Sequence, residues 1–239
     1  MSTLLQDKIA ALAPWHYNVY LPDGTATAPD LNQAGSPQQQ WQAVKRLLPG
    51  DLTNWQVLEI GCSSGFYAIE MAKRGASVVV LDTNEHCIEQ AKWLAEEFCL
   101  QHKIIFSNAQ VYELARADVK FDLALCLDTA LTLRYPQLAI DILAQKANKI
   151  IVADTYATVL DKDDMVNAAT PAAMIFIEGD GHNNGGIWKP TADGLYTMLA
   201  SAGYIVEHQF DGHIYVGEKS DEMMPYLYTM EYLSAAGIQ

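Results

Sequence analysis

Glu59-Ile60-Gly61-Cys62-Ser63-Ser64-Gly65, with Asp82 further on, places two carboxylates and two glycines where they could hold a ligand. Glycine in such a turn lets a ligand approach bare backbone. An acid at the end of the next apolar run can accept hydrogen bonds from ribose hydroxyls. That combination suits an adenosine-containing cofactor. A dinucleotide site usually reads G-x-G-x-x-G around a pyrophosphate, whereas this turn offers only Gly61 and Gly65. Glu59, two residues ahead of the turn, would repel a phosphate and suits a cationic amino-acid moiety better.

The elements that must position these residues alternate along the chain. Val57-Leu58-Glu59-Ile60 is short, apolar and stopped by Gly61, so it reads as a buried strand. Phe66, Ile69, Met71 and Ala72 then recur at roughly helical spacing, and Val78-Val79-Val80-Leu81 is a second buried strand ending at Asp82. The same rhythm gives strand 56–61, helix 65–75, strand 77–82, helix 84–99, strand 103–107 and a short helix near 110–116. Strand 121–127, helix 137–146 and strand 149–154 follow. It implies βαβ crossovers and a mostly parallel sheet. After helix 191–202, two strand-like runs, Tyr204 to Phe210 and His213 to Val216, flank Asp211-Gly212, a hairpin signal.

Ahead of this core, residues 3–13 read as helical, Leu21-Pro22-Asp23-Gly24 as a turn, and Thr25 to Pro37 as a polar loop. A helix from Trp41 to Leu48 ends at Pro49-Gly50. A final helix over 221–235 sets Met223, Leu227, Met230 and Leu233 roughly on one face, for packing or for contact within a homodimer. The expected organisation is an N-terminal helical and loop segment (1–50) covering the site, a core (51–218) with a polar insertion (157–189), and a C-terminal helix (219–239).

The E-x-G-x-x-x-G turn with its acid about twenty residues on resembles motif I of class I S-adenosylmethionine methyltransferases. The resemblance extends over most of the chain. Pro14-Trp15-His16-Tyr17-Asn18, Leu21-Pro22-Asp23-Gly24-Thr25 and Thr27-Ala28-Pro29-Asp30 look like the N-terminal signature of a bacterial methyltransferase family related to the enzymes that carboxymethylate the tRNA wobble uridine. Trp41 before Leu48-Pro49, Phe121-Asp122-Leu123 with Leu133-Arg134-Tyr135-Pro136, and Trp188-Lys189-Pro190 match it too. The fold this implies is α/β and Rossmann-like, a mostly parallel seven-stranded sheet closed by an antiparallel hairpin. Two departures count against carboxymethyl transfer. Leu131 stands where the tRNA-modifying relatives have a tyrosine, and Glu218 to Met224 contains no arginine. Ordinary methyl transfer from S-adenosylmethionine is the expectation.

The resemblance implies a cofactor set of Glu59, Gly61, Cys62, Ser63, Gly65, Phe66, Asp82, Thr83, Asn108, Ala109, Gln110, Leu127, Asp128 and Trp41. Methyl transfer is an in-line displacement at a sulfonium methyl, so holding the acceptor on that axis is the enzyme's main task. A base is required only where the acceptor must lose a proton. The candidates are His16, Asp128, Asp154 and His182; Trp15, His16, Tyr17, Tyr156, Asn183 and Trp188 are the candidates for holding the acceptor. Each has a plainer reading, as a solvated strand end, a loop residue or an aromatic anchor.

Composition narrows the partners. The chain of 239 residues carries a formal charge of −14. Beyond Lys149 it has only three basic residues, Lys162, Lys189 and Lys219, against thirteen acids. Nucleic-acid binding needs a basic face to neutralise phosphates, so a small neutral or cationic acceptor is expected. The four cysteines (62, 87, 99, 126) show neither C-x-x-C nor a zinc spacing, so no metal is expected. Reduced thiols, strand-sized apolar runs and an N-terminus without signal architecture point to the cytoplasm, with no membrane span. Three alternatives stand beside the main reading: a tRNA-modifying (carboxy)methyltransferase, an NAD-dependent oxidoreductase, and a non-catalytic S-adenosylmethionine-binding module.

Overall fold

A computed structural model describes residues 3–31, 36–129, 133–153, 174–177, 187–209 and 214–220. The chain divides into two units, residues 1–110 and 111–239.

The first unit holds α1 (Thr3–Ala11), α2 (Pro37–Val44), β1 (Gln56–Ile60), α3 (Phe66–Lys73), β2 (Ser77–Asp82), α4 (Glu85–Glu97) and β3 (Ile104–Asn108). Its strands run β3-β2-β1, all parallel, with Glu59 level with Val80 and Asp82 level with Asn108. Val57, Leu58 and Val80 are fully buried, which is why these strands read as continuous apolar runs and not as alternating ones. The helix expected from Trp41 begins earlier, at Pro37, a residue preset for the first helical turn. It tightens into a 3₁₀ turn over Lys45–Leu47.

The second unit begins with a 3₁₀ helix, Val111–Arg116, where a short helix was expected. Its bonding is i to i+3 at its end, Ala117 N–H to the Leu114 carbonyl at 3.0 Å. Then come β4 (Phe121–Leu127), α5 (Pro136–Lys146), β5 (Ala147–Ala153), β6 (Met174–Ile177), β7 (Ile187–Pro190), α6 (Ala192–Ser201), β8 (Tyr204–Gln209) and β9 (Ile214–Lys219). β4 and β5 are parallel; β9 pairs antiparallel with β5, and β8 with β9. β5 starts two residues ahead of its expected position because Ala147 is already extended and buried where α5 ends.

Seven strands therefore make one mixed, mostly parallel sheet closed by the expected antiparallel hairpin. Tyr204 Oη donates to the Ala147 carbonyl at 3.2 Å, and Lys149 meets Glu218 at 2.8 Å across the β5–β9 register. β6 and β7 form a separate two-stranded ribbon inside the segment read as a polar insertion. The apolar run Met174-Ile175-Phe176-Ile177 was the signal for it. The Asp211-Gly212 turn, the rest of the insertion and the helix expected over 221–235 lie outside the described residues.

Candidate functional site

β1 stops at Gly61, whose φ of 74° only glycine adopts freely and whose N–H reaches the Leu81 carbonyl of β2 at 2.8 Å. The chain then turns through Ser63 (φ 48°) and Gly65 (φ 82°) into α3. Cys62 carbonyl accepts the Gly65 N–H at 2.8 Å, closing the turn. Gly65 also permits a close approach of two helices. A Cβ there would sit 2.6 Å from the Ala91 Cβ of α4, inside van der Waals contact.

Asp82 stands opposite this turn at the end of β2. Its Oδ2 accepts the Ser63 N–H at 3.2 Å and its Oδ1 the Asn84 N–H at 2.8 Å. The N-cap of α4 is Asn84, which accepts from the His86 N–H, so Asp82 is not spent on capping. Half-buried, it keeps lone pairs for a further donor. Thr83 is exposed beside it; at the tip of β3, Asn108 and Gln110 are exposed and Ala109 half-buried. Ala109 N–H bonds the Asp82 carbonyl at 3.2 Å, so the two strand ends are tied.

Glu59 is the electrostatic anomaly. It is 2% exposed, and among the described residues neither carboxyl oxygen has a hydrogen-bond partner. Burial pushes its carboxyl up to about 8 from an ordinary 4.5; the Ala68 backbone amide pulls against that shift, and the nearby charge of Asp82 adds to it. Ser63 Oγ is likewise buried, with the Tyr17 hydroxyl as a neighbour. Cys62, 1% exposed, is a thiol held protonated by burial and by Glu59 and Asp82, so it packs and does not react.

The N-terminal segment meets this turn directly. Tyr17 Oη donates to the Cys62 carbonyl at 3.2 Å, and its ring stands edge-on to Phe66 at 6.5 Å. Burial and then Glu59 keep the Tyr17 hydroxyl protonated. Gln90 of α4, absent from the sequence expectations, joins the same segment: it bonds Ser64 of the turn and the carbonyls of Leu12 and Pro14. Its signal was a glutamine on the apolar stripe of α4 formed by Cys87, Ala91 and Leu94. Trp15 and Trp41 are engaged in packing. Trp15 donates to the Ile9 carbonyl and lies 5.9 Å from Trp93, while Trp41 meets Tyr67 edge-on and has Arg74 over its face. His16 is exposed.

In the second unit, β4 ends at Leu127, buried, and Asp128, half-buried with φ 58°. The Asp128 N–H reaches the Ala153 carbonyl at the matching end of β5, at 2.9 Å. Trp188 is level with Phe176 in the β6–β7 register. Leu131, Asp154, Tyr156, His182 and Asn183 lie outside the described residues. Among the described residues no cluster of three or more metal-ligating side chains occurs, and no helix is long and apolar enough to cross a membrane.

Residues 57–150 match the family model described as a methyltransferase domain. A 92-residue stretch is 34% identical to the magnesium-protoporphyrin O-methyltransferase of Rhodobacter capsulatus, covering 38% of this chain and 39% of that one. An 80-residue stretch is 32% identical to the ubiquinone biosynthesis O-methyltransferase of Alkalilimnicola ehrlichii, covering 33% and 32%. The match thus spans well under half the length of these curated relatives. Among solved structures, the N-terminal domain of EvdMO1, crystallised in the presence of SAH and D-fucose, superposes with a TM-score of 0.70 at 18% identity, over 91% of this chain and 96% of that one. The magnesium protoporphyrin IX methyltransferase of Synechocystis PCC 6803 with bound SAH gives 0.56 at 20% identity, over 77% and 83%. At these identities the structures establish the fold: the Rossmann-like, mostly parallel seven-stranded sheet expected from the sequence.

Proposed function

We propose that this chain is a class I S-adenosylmethionine-dependent methyltransferase acting on a small-molecule acceptor. The observation that carries the reading is the pair of carboxylates about one strained turn: Glu59 buried without a partner, and Asp82 held by backbone amides. A buried carboxyl without a partner is costly, and a cationic ligand removes that cost. A phosphate would raise it. The residues therefore fit an adenosine cofactor with a cationic tail better than a dinucleotide, which disfavours the oxidoreductase alternative.

S-adenosylmethionine, when bound, supplies an electrophilic sulfonium methyl. This chain's residues do the rest by positioning. Asp82 accepts from the ribose hydroxyls, its orientation preset by the Ser63 and Asn84 amides. Gly61 and Gly65 remove the Cβ atoms at the two ends of the turn, so the backbone amide of Cys62 can face the ligand. Glu59 gives up its proton and offers negative charge to the cationic amino-acid moiety. Asn108 and Ala109 border the adenine side, and Tyr17 braces the turn from the N-terminal segment. His16 and Asp128 are the described candidates for a base.

The names of the curated relatives support a small-molecule acceptor over tRNA. The charge of −14 does the same. A kinship with the tRNA wobble-uridine enzymes would belong to the N-terminal signature, and Leu131 would deny it the carboxylated cofactor. A cytoplasmic homodimer fits the same reading.

Thermal-shift measurements with S-adenosylhomocysteine, S-adenosylmethionine, carboxy-S-adenosylmethionine and NAD test it. Stabilisation by the first two, followed by methyl transfer to members of a neutral and amine acceptor panel, is the expected result. A response only to NAD overturns the class. A preference for the carboxylated cofactor restores the tRNA alternative, and binding with no turnover on any acceptor class favours the non-catalytic module.

A further inference from the structure

Gln90 makes four polar contacts that no packing requirement of α4 calls for, one of them with His86 Nε2 of its own helix at 3.1 Å. It is fully buried on a helix whose other buried residues are Cys87, Ile88, Ala91, Trp93, Leu94 and Ala95. Its Nε2 lies 2.6 Å from the Leu12 carbonyl and 2.9 Å from the Pro14 carbonyl. Both partners can only accept, so the amide nitrogen must face them. That leaves Oε1 for Ser64, whose hydroxyl donates to it at 3.2 Å. Ser64 is itself fully buried inside the glycine turn. His86, one helical turn ahead, brings Nε2 to 3.4 Å from the same Pro14 carbonyl.

One side chain thus spans from the turn to the N-terminal segment. A second tether lies a few residues on, where Tyr17 donates to the Cys62 carbonyl. Between the two tethers sits Trp15, buried against Trp93 of α4. Replacing this buried glutamine by an apolar residue would take the partner from the Leu12 carbonyl and the Ser64 hydroxyl and leave the Pro14 carbonyl to His86 alone, which explains a polar residue on an apolar stripe.

We propose that Gln90 is a positioning residue that latches residues 12–17 onto the glycine turn, holding Tyr17 on the Cys62 carbonyl and the turn in its ligand-binding shape. The inference rests on the cofactor reading above only for its consequence; the latch itself is a statement about the N-terminal segment. Gln90 touches no cofactor atom in this account. It acts through Ser64 on one side and through the backbone of Leu12 and Pro14 on the other, so its loss loosens the segment and weakens cofactor binding together.

Gln90→Met keeps length and volume and deletes the three bonds to Leu12, Pro14 and Ser64 along with the contact to His86, and Ser64→Ala deletes one. Amide hydrogen exchange over residues 12–20 reads the latch without any ligand. Calorimetric titration with S-adenosylhomocysteine reads the consequence. In Gln90→Met the exchange should accelerate about tenfold, and the dissociation constant should rise by a similar factor, the loss of one or two net hydrogen bonds. Ser64→Ala should act in the same direction on the same residues, and it decides the matter should Gln90→Met not fold. Tyr17→Phe should weaken binding several-fold alone and add little in the Gln90→Met background, because the tether it removes is already slack. Unchanged exchange at 12–20, or a Tyr17→Phe effect equal in both backgrounds, overturns the latch. If the native protein does not bind S-adenosylhomocysteine, the functional reading falls, while the exchange result still stands for or against the latch.

Discussion

Replacing Glu59 by glutamine should convert a pH-dependent stability into a flat one. In the folded protein the carboxyl keeps its proton up to about pH 8, because burial and then Asp82 disfavour the charge, whereas an unfolded chain releases it near 4.5. Between those values the folded state binds a proton that the unfolded state has lost. Stability therefore falls as pH rises through the window and levels off above it. At 1.36 kcal/mol per pH unit the full displacement is worth roughly 5 kcal/mol, an upper bound that relaxation and water entry reduce. Glutamine carries no charge at any pH. Its amide adds a pH-independent penalty of about 1–3 kcal/mol for unpartnered donors. Urea unfolding of both proteins from pH 5 to 9, taken as a difference curve, removes every other titrating group from the comparison. The native protein should lose at least about 2–3 kcal/mol relative to Glu59→Gln across that range. Parallel curves would refute a buried, unpartnered carboxyl at the end of β1. The same proton must leave when a cationic ligand binds, so binding should strengthen as pH rises toward 8 and release a proton to the buffer.

Gly65→Ala adds a Cβ 2.6 Å from the Ala91 Cβ at a φ of 82°, costing about 2–5 kcal/mol from left-handed strain and overpacking together. Ala91→Gly in the same chain should return the packing part but not the strain, which denaturant midpoints would show. Asp82→Asn should weaken S-adenosylhomocysteine about 10- to 100-fold, the worth of a charge-assisted bond, and the melting temperature should fall too, because either the Ser63 or the Asn84 N–H then faces an amide NH2 in place of an oxygen. A charged-thiol reagent should label exposed Cys99 and leave buried Cys62 untouched at pH 8, because burial holds the Cys62 thiol protonated; mass spectrometry of the labelled peptides decides it.

The turn and its two acids illustrate why part of this protein was legible in advance. A parallel strand buried on both faces must be apolar throughout, so Val57-Leu58 and Val78-Val79-Val80 announce themselves without knowledge of their neighbours. Glycine at Gly61 and Gly65 answers to backbone angles that are local properties of the chain. The hairpin of β8 and β9 followed from Asp-Gly between two strand-like runs in the same way. The ribbon of β6 and β7 was only half legible, since the apolar run Met174-Ile175-Phe176-Ile177 signals one strand while Ile187-Trp188-Lys189-Pro190 carries no strand signal of its own, and a ladder is recognised only when both strands are seen paired.

What the chain alone determined was therefore the sheet, its helices and the positions of Glu59 and Asp82, because periodicity and turn chemistry act over a few residues. Only the tertiary structure decided their state. That Glu59 lacks a partner, that Asn84 and not Asp82 caps α4, and that Trp15 packs on Trp93 while Tyr17 reaches the Cys62 carbonyl all depend on residues distant in sequence. Gln90 shows the limit most plainly. As a glutamine in a helix it could have faced water, and what made it a tether was the arrival of Leu12 and Pro14, residues more than seventy positions away, at hydrogen-bonding distance. Hydrogen bonds and desolvation are set by what surrounds an atom in space, and no local pattern encodes that.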